Sequence, residues 1–195
     1  MKKKLIILTG PTAVGKTDLS IRLARTVGGE IISADSMQVY RRMDIGTAKI
    51  RPEEMDGVRH HLIDILEPTE SFNAFLFKEY ALKAANEIWE RGSIPIIVGG
   101  TGFYIQTLLY DIEFAKSDEN DGIRDELNKL YEEHGAAFLH DMLAKVDPEY
   151  AAEVHENNVK KVIRAIEFYR QTGHKLSEHN TEQRERTSPY NFEYF

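Results

Sequence analysis

Short apolar runs punctuate the first part of the chain: "LIIL" at 5–8, "EIISA" at 30–34, "LIDIL" at 62–66 and "IPIIV" at 94–98. Their brevity and isoleucine content are those of strands buried on both faces. Between them apolar residues recur at helical spacing. Residues 17–27 place Leu19, Ile21, Leu23, Ala24 and Val27 near one face, and 73–90 do the same with Phe75, Leu76, Tyr80, Ala84, Ile88 and Trp89. Strand and helix in alternation require crossover connections, so the pattern predicts an α/β fold with a mostly parallel sheet and helices on both faces.

After residue 112 only helical periods remain. Ile123, Leu127, Leu130 and Tyr131 form one set and Leu139, Met142, Leu143 and Val146 another, with Gly135 separating them. In "VDPEYAAEV", Asp147 suits an N-cap and Pro148 the first helical position. "NNVKKVIRAIEFYRQTG" predicts a further helix with Gly173 as its stop. A polar stretch, "HKLSEHNTEQRERTSP", then leads to "YNFEYF", a fifth strand returning to the sheet. The predicted organisation is a core over 1–112, an all-helical insertion over 113–186 and a return strand within 187–195.

Composition narrows the setting. The 195 residues suffice for one core with an insertion, and no stretch approaches the roughly 18 apolar residues of a membrane span. "MKKKLIILTG" imitates the basic start of a signal peptide, but its apolar run is too short and ends in a glycine turn. With zero cysteines, disulfides and thiolate-bound zinc are excluded, a reducing cytoplasm is expected, and any metal must use oxygen or histidine. The net charge of −7 argues against nucleic acid until it is located. Residues 1–112 carry 14 basic and 14 acidic side chains, and 113–195 carry 11 and 18, so the whole deficit (11 − 18 = −7) lies in the second part. The neutral first part could still hold a basic groove.

"GPTAVGKT" fits G-x-x-x-x-G-K-[ST] through Gly10, Gly15, Lys16 and Thr17, with an apolar run before it and a helical run after it. Such a turn points backbone N–H groups inward at a helix N-terminus, adds the Lys16 charge, and offers the Thr17 hydroxyl to Mg²⁺. It predicts a P-loop NTPase-like sheet that binds a di- or triphosphate, a nucleotide such as ATP included. Asp35 follows the second strand, where carboxylates meet ligands of open α/β sheets; it could bind Mg²⁺ through water or accept a proton. Ser36 and Gln38 suit a base edge or their own loop backbone. Arg41, Arg42, Lys49 and Arg51 form a basic cluster, either a solvated face or a phosphate contact. The fourth run ends in Gly99, Gly100 and Gly102, with Thr101 among them, where a typical NTPase supplies an acidic residue for Mg²⁺. His60 and His61, adjacent on a strand, would face opposite sides, which disfavours a shared metal. Lys160, Lys161 and Arg164 share one helix face, and Arg124 opens another helix with nothing local to explain it.

Together "GPTAVGKT", "ISADSMQVYRRMDIGTAK", "HHLIDI" and "VGGTGFYIQ", in this order, resemble the tRNA dimethylallyltransferase (tRNA isopentenyltransferase) family across essentially the whole chain. The resemblance implies that the turn holds dimethylallyl diphosphate instead of a nucleotide, and that the five-carbon group passes to the exocyclic amine, N6, of the adenine 3′ of the anticodon. Gly10, Pro11, Thr12, Ala13, Val14, Gly15, Lys16 and Thr17 would bind the diphosphate, with Mg²⁺ on Thr17. Asp35 would take the amine's proton, with Lys16 and Thr101 completing the catalytic set. Asp35, Ser36, Met37 and Gln38 would line the adenine's slot, and Thr101 and Arg124 match positions that contact tRNA. The family's Q-R-x-x-R segment falls on "KKVIR", so Lys160, Lys161 and Arg164 keep the charge while the glutamine is absent. A cytoplasmic monomer without membrane association is implied, its partners the tRNA anticodon loop and the prenyl donor. The family usually runs about half as long again, so the chain is expected to be a piece of a longer protein.

Two other readings share these motifs. A small P-loop kinase would use the same turn for ATP and predicts an arginine-rich lid, whereas the insertion is net acidic. A noncatalytic RNA-binding module would use the helices as a clamp and the turn as a nucleotide site.

Overall fold

The computed structural model describes residues 2–11, 14–112 and 122–195. Its strands are β1 (Lys4–Thr9), β2 (Gly29–Ser33), β3 (His60–His61), β4 (Ile94–Gly99) and β5 (Asn191–Tyr194). All pairings are parallel, in the order β3-β2-β4-β1-β5. Helices α1 (Lys16–Val27), α2 (Ala74–Glu90) and α3 (Gly102–Leu109) belong to the same unit, which comprises Met1–Ile112 and Thr187–Phe195.

The inner strands of the sheet are covered on both faces, while the edge strand β5 is largely exposed. Ile31 of β2 and Ile96 of β4 cluster with Ile21 and Ala24 of α1. Alternation along the strands turns Ile32 and Ile97, both fully buried, to the opposite face, where α2 packs against β2 and β4. The helix faces differ from those expected. Helix α1 buries Ser20, Ile21 and Ala24 and leaves Leu19 exposed; α2 buries Ala74, Phe77, Ala81, Ala84, Ala85 and Ile88 and leaves Phe75 exposed. Alanines let α2 lie close to the sheet, while Tyr80 stacks on Phe72 at its flank, with ring centroids 6.4 Å apart.

The third strand is also corrected. The expected run 62–66 is not in the sheet; β3 is the preceding His60–His61, paired with Ile31 and Ile32. Leu62 and Asp64 take φ of 63° and 54°, which bends the chain off the sheet, and the amides of Asp64, Ile65 and Leu66 donate instead to the carbonyls of Gln38 and Val39. The apolar run thus pairs with a loop.

The described residues of the second unit, Glu113–Arg186, form four helices: α4 (Ile123–Val146), α5 (Pro148–Glu153), α6 (Val159–Thr172) and α7 (Leu176–Glu185). Gly135 kinks α4 (φ 83°, ψ 179°) between the two expected apolar sets instead of ending it. Leu127, Leu139, Leu143, Val162, Ile163 and Ile166 form its core. Asp147 caps α5, accepting from the Tyr150 amide at 3.1 Å, with Pro148 at the first helical position. Gly173 ends α6 in the left-handed conformation. The polar stretch that leads to the fifth strand contains α7, whose start is fixed by Asp147: its carboxylate accepts from the Ser177 amide at 2.9 Å and hydroxyl at 2.7 Å. That cap lies 30 residues upstream in sequence, invisible to local pattern.

Candidate active site

The C-terminal ends of β1, β4 and β2 lie side by side, and each is followed by a turn carrying candidate chemistry. Because β4 lies between them, β1 and β2 end two strand spacings apart, about 10 Å. Register keeps the ends level: Thr9 pairs with Gly99, and Ser33 with Val98.

After β1 comes the 10–17 turn, in which Thr12 and Ala13 lie outside the described residues. Gly15 sits at the N-cap of α1 with φ 83°, a left-handed conformation suited to glycine, and no side chain caps the helix. The first amides of α1 therefore lack side-chain acceptors, the arrangement that favours an anion. Lys16 folds its ammonium back onto the Pro11 carbonyl, and its stem runs beside Gly10. Val14 also lies against Gly10, and Thr17 is exposed in the first turn of the helix.

After β2, Asp35 is half-buried, and its Oδ1 accepts from the amides of Met37 at 2.8 Å and Gln38 at 3.2 Å. One carboxylate oxygen thus folds its own turn. Met37 is exposed and Ser36 half-buried. Gln38 is committed elsewhere: Oε1 accepts from the Ser33 hydroxyl at 3.1 Å, and Nε2 donates to the Thr47 and Ala48 carbonyls at 3.2 and 3.3 Å. Of its two expected uses, the structure brings it to loop backbone.

After β4 the chain passes through Gly99 and Gly100 into Thr101, the N-terminal cap position of α3. A Cβ on Gly99 would lie 2.3 Å from the Ala34 carbonyl oxygen, and the Thr101 amide donates to that same oxygen at 3.4 Å. The end of β2, and with it Asp35, is therefore held against the glycines. Tyr104, one turn into α3, was not singled out in the sequence. It is buried and stacked on Phe77 at 4.8 Å; burial, with the charges of Tyr40 and Asp35 adding, pushes its hydroxyl above the ordinary range. Its three-residue spacing from Thr101 was the available signal.

Three of the four cations of the basic cluster after Asp35 are paired, and the fourth, Arg51, is exposed. Arg41 and Arg42 both reach Glu67, and Lys49 reaches Asp44 and Asp64. Burial pulls the Lys49 ammonium down, but the two carboxylates outweigh it and hold its pKa above the usual range. His60 and His61 serve structure: Nδ1 of His60 bonds the Val58 carbonyl and Nε2 of His61 bonds Glu30. Among the described residues, no group of three or more His, Asp or Glu side chains is arranged to hold a metal, and no helix is long and apolar enough to cross a membrane.

In the helical unit, Lys160, Lys161 and Arg164 are exposed on α6, and no ion pair among the described residues engages them. Arg124 differs: it pairs with Glu167 at 2.5 Å, 43 residues away, which is the explanation its local sequence lacked.

Comparison with known proteins adds relatives to this geometry. The IPP transferase family model matches residues 38–195. The tRNA dimethylallyltransferase of Lachnoclostridium phytofermentans is 58% identical over 191 residues, covering 98% of this chain and 61% of that protein. That of Geobacillus thermodenitrificans is 52% identical, covering 91% and 56% respectively. Among solved structures, a eukaryotic dimethylallyltransferase acting on tRNA superposes with a TM-score of 0.88 at 36% identity, over 98% of this chain and 47% of its own. The full-length tRNA isopentenylpyrophosphate transferase of Bacillus halodurans gives 0.61 at 46% identity, over 98% and 58%. The chain spans about three fifths of the length of the curated relatives it matches.

Proposed function

We propose an activity from one premise: the chain belongs to the IPP transferase family, the tRNA dimethylallyltransferases. The reading is that these residues form the catalytic core for transfer of a dimethylallyl group from dimethylallyl diphosphate to N6 of the adenine 3′ of the tRNA anticodon. The observation that carries it is the level row of three strand ends, with a phosphate-type turn after β1, a carboxylate after β2, and glycine in place of a carboxylate after β4. An enzyme that activates water against a nucleoside triphosphate needs an acid beside the phosphate. Here the acid stands one strand further off, with room for an acceptor between.

The amides at the start of α1 and the Lys16 ammonium would bind the diphosphate and stabilise the charge that grows on it as the allylic C–O bond breaks. The adenine amine attacks the allylic carbon, an N–C bond forms, diphosphate leaves and Asp35 accepts the amine proton. Its Oδ1 is engaged by two amides, which orients the carboxylate without a second base. Holding both partners over Gly99 and Gly100 makes the encounter effectively unimolecular. Thr101, fixed by its amide to Ala34, has its hydroxyl free of any cap bond and available to the substrate. An adenine must leave its stack to enter, which costs little in an unpaired loop. Ser36 and Met37 remain to line its slot, since Gln38 supports the loop. Lys160, Lys161 and Arg164 would meet backbone phosphates.

A magnesium ion fits this donor set. Mg²⁺ commonly takes one or two protein ligands and completes its shell with water and phosphate oxygens, and the Thr17 hydroxyl, without a carboxylate cluster, offers that much and no more. When bound it would supply further neutralisation of the departing diphosphate.

The test is incubation with labelled dimethylallyl diphosphate and unmodified tRNA, followed by nucleoside analysis, with ATP in a parallel arm. Label in the adenosine fraction supports the transferase. Phosphoryl transfer or ATP hydrolysis without label transfer rejects it for the kinase.

A further inference from the structure

Ile45 is 99% exposed, the most exposed large apolar residue among those described. On a loose tip that would mean little, but this loop is heavily braced. Gln38 ties its two sides through Ser33, Thr47 and Ala48. The Thr47 hydroxyl donates to the Met43 carbonyl at 2.7 Å. Lys49, its side chain only 4% exposed, donates to the Tyr40 carbonyl at 2.7 Å and to Asp44 and Asp64 at 2.8 and 2.6 Å. Arg42 and Ala48 hold left-handed backbone, with φ of 63° and 48°, a strain that only a well-determined loop sustains. Bracing and strain are thus invested in holding an isoleucine fully in water.

Charge identifies what would cover it. Residues 40–51 carry four basic side chains and one acidic in a chain of net charge −7, and with the Asp64 and Glu67 carboxylates that pair with them the local excess is one (4 − 3 = +1). Arg41 and Arg42 share the single carboxylate of Glu67, which leaves their exposed guanidiniums in excess. A cationic rim around one apolar knob matches single-stranded RNA, whose bases offer apolar faces between phosphates. The loop starts three residues after Asp35, so the knob belongs to the segment leaving the proposed base.

We propose that the 38–49 loop is a rigid wedge whose Ile45 side chain packs against the base next to the extracted adenine, with Arg41 and Arg42 facing the flanking phosphates. The wedge rests on the tRNA reading above and deepens it: bracing lets Ile45 occupy the stacking position that the adenine vacates.

The test uses an anticodon stem-loop RNA with 2-aminopurine beside the target adenine. Ile45→Ser should bind it about tenfold more weakly and lose the fluorescence change at that base. Its melting temperature and its affinity for a fully paired hairpin should be unchanged, and Ile45→Leu should restore binding. Equal binding and equal fluorescence in Ile45→Ser would overturn the wedge alone. So would a lowered melting temperature, which would mean that the chain itself covers Ile45, or a concentration-dependent self-association abolished by Ile45→Ser, which would assign the knob to a second copy. An unaltered chain that binds no stem-loop would overturn the tRNA reading and the wedge with it.

Discussion

Replacing Asp35 by asparagine separates the carboxylate's basicity from its structural role. In the structure Oδ1 accepts two amide bonds, at 2.8 Å from Met37 and 3.2 Å from Gln38. Asparagine retains a carbonyl oxygen there, so the turn persists with neutral acceptors in place of charged ones. At a half-buried site this exchange costs about 1 kcal/mol. Loss of a general base costs about 10²–10⁴ in rate, or about 2.7–5.4 kcal/mol of barrier. The kinetic effect should therefore exceed the structural one several-fold. Alanine removes both bonds, leaves two amides without their acceptor, and should cost about 2 kcal/mol of stability while loosening the loop that begins at Gln38. The assay is single-turnover transfer of labelled dimethylallyl to unmodified tRNA, with tRNA affinity and thermal melts measured separately. Asp35→Asn should bind like the parent, melt about 2–4 °C lower and transfer at least a hundredfold more slowly, and Asp35→Ala should melt lower still. Transfer by Asp35→Asn within about threefold of the parent would remove Asp35 as the base, because even a weak general base contributes more. A loss explained wholly by weaker tRNA binding would do the same.

Four further outcomes follow from the structure. Gly99→Ala would set a Cβ 2.3 Å from the Ala34 carbonyl oxygen, backbone against backbone, and should cost about 3 kcal/mol in a urea melt. Asp147 is 1% exposed, and although burial favours its neutral form, the bonds from Ser177, Tyr150 and Leu176 hold its pKa below the ordinary value. A depressed folded pKa means that its stabilisation is complete above the unfolded value and is lost as pH falls through the folded one. Circular-dichroism melts of the parent should weaken below about pH 4, whereas Asp147→Asn should be less stable by about 2 kcal/mol at neutral pH and lose that part of the acid dependence. Lys161→Met should weaken tRNA binding and reduce the salt slope by about one, without changing the melt. Arg124→Met should instead destabilise the helical unit by about 1–2 kcal/mol, because it strands Glu167, whose side chain is only 8% exposed.

Much of the core was legible because its signals are local. Four of the five strands and the glycine turn with its following helix announce themselves within ten residues each, and Asp147, Pro148 and Gly173 punctuate helices by side-chain and backbone chemistry alone. What escaped was set by distant partners. The run 62–66 reads as a strand, yet its amides go to Gln38 and Val39. Helix α7 has little apolar periodicity, and its start depends on Asp147. Gln38 looked equally suited to a base edge and to loop backbone, and only the positions of Thr47 and Ala48 decide. Arg124 looked unexplained because Glu167 lies a whole helix away. Sequence chemistry names the groups capable of a role; the fold decides which have already been committed.

The glycine that ends β4 links these two levels. An acidic residue at this strand end would serve hydrolysis of a nucleotide, but its Cβ would point at the end of β2 and run into the Ala34 backbone. Glycine removes that option and, through the missing Cβ, admits the Ala34 carbonyl to within 2.3 Å of where the Cβ would be. The Thr101 amide then bonds the same oxygen. Because Asp35 follows Ala34 directly, the close approach that excludes one acid draws the other toward the crevice. Two strand spacings, about 10 Å, separate the strand ends from which the 10–17 turn and the Asp35 turn depart. On the proposed reading, that spacing leaves room for a planar acceptor between the two turns, with its amine toward Asp35. A β4 ending in glycine is then the backbone condition for the proposed reaction, in which a nucleobase is the nucleophile.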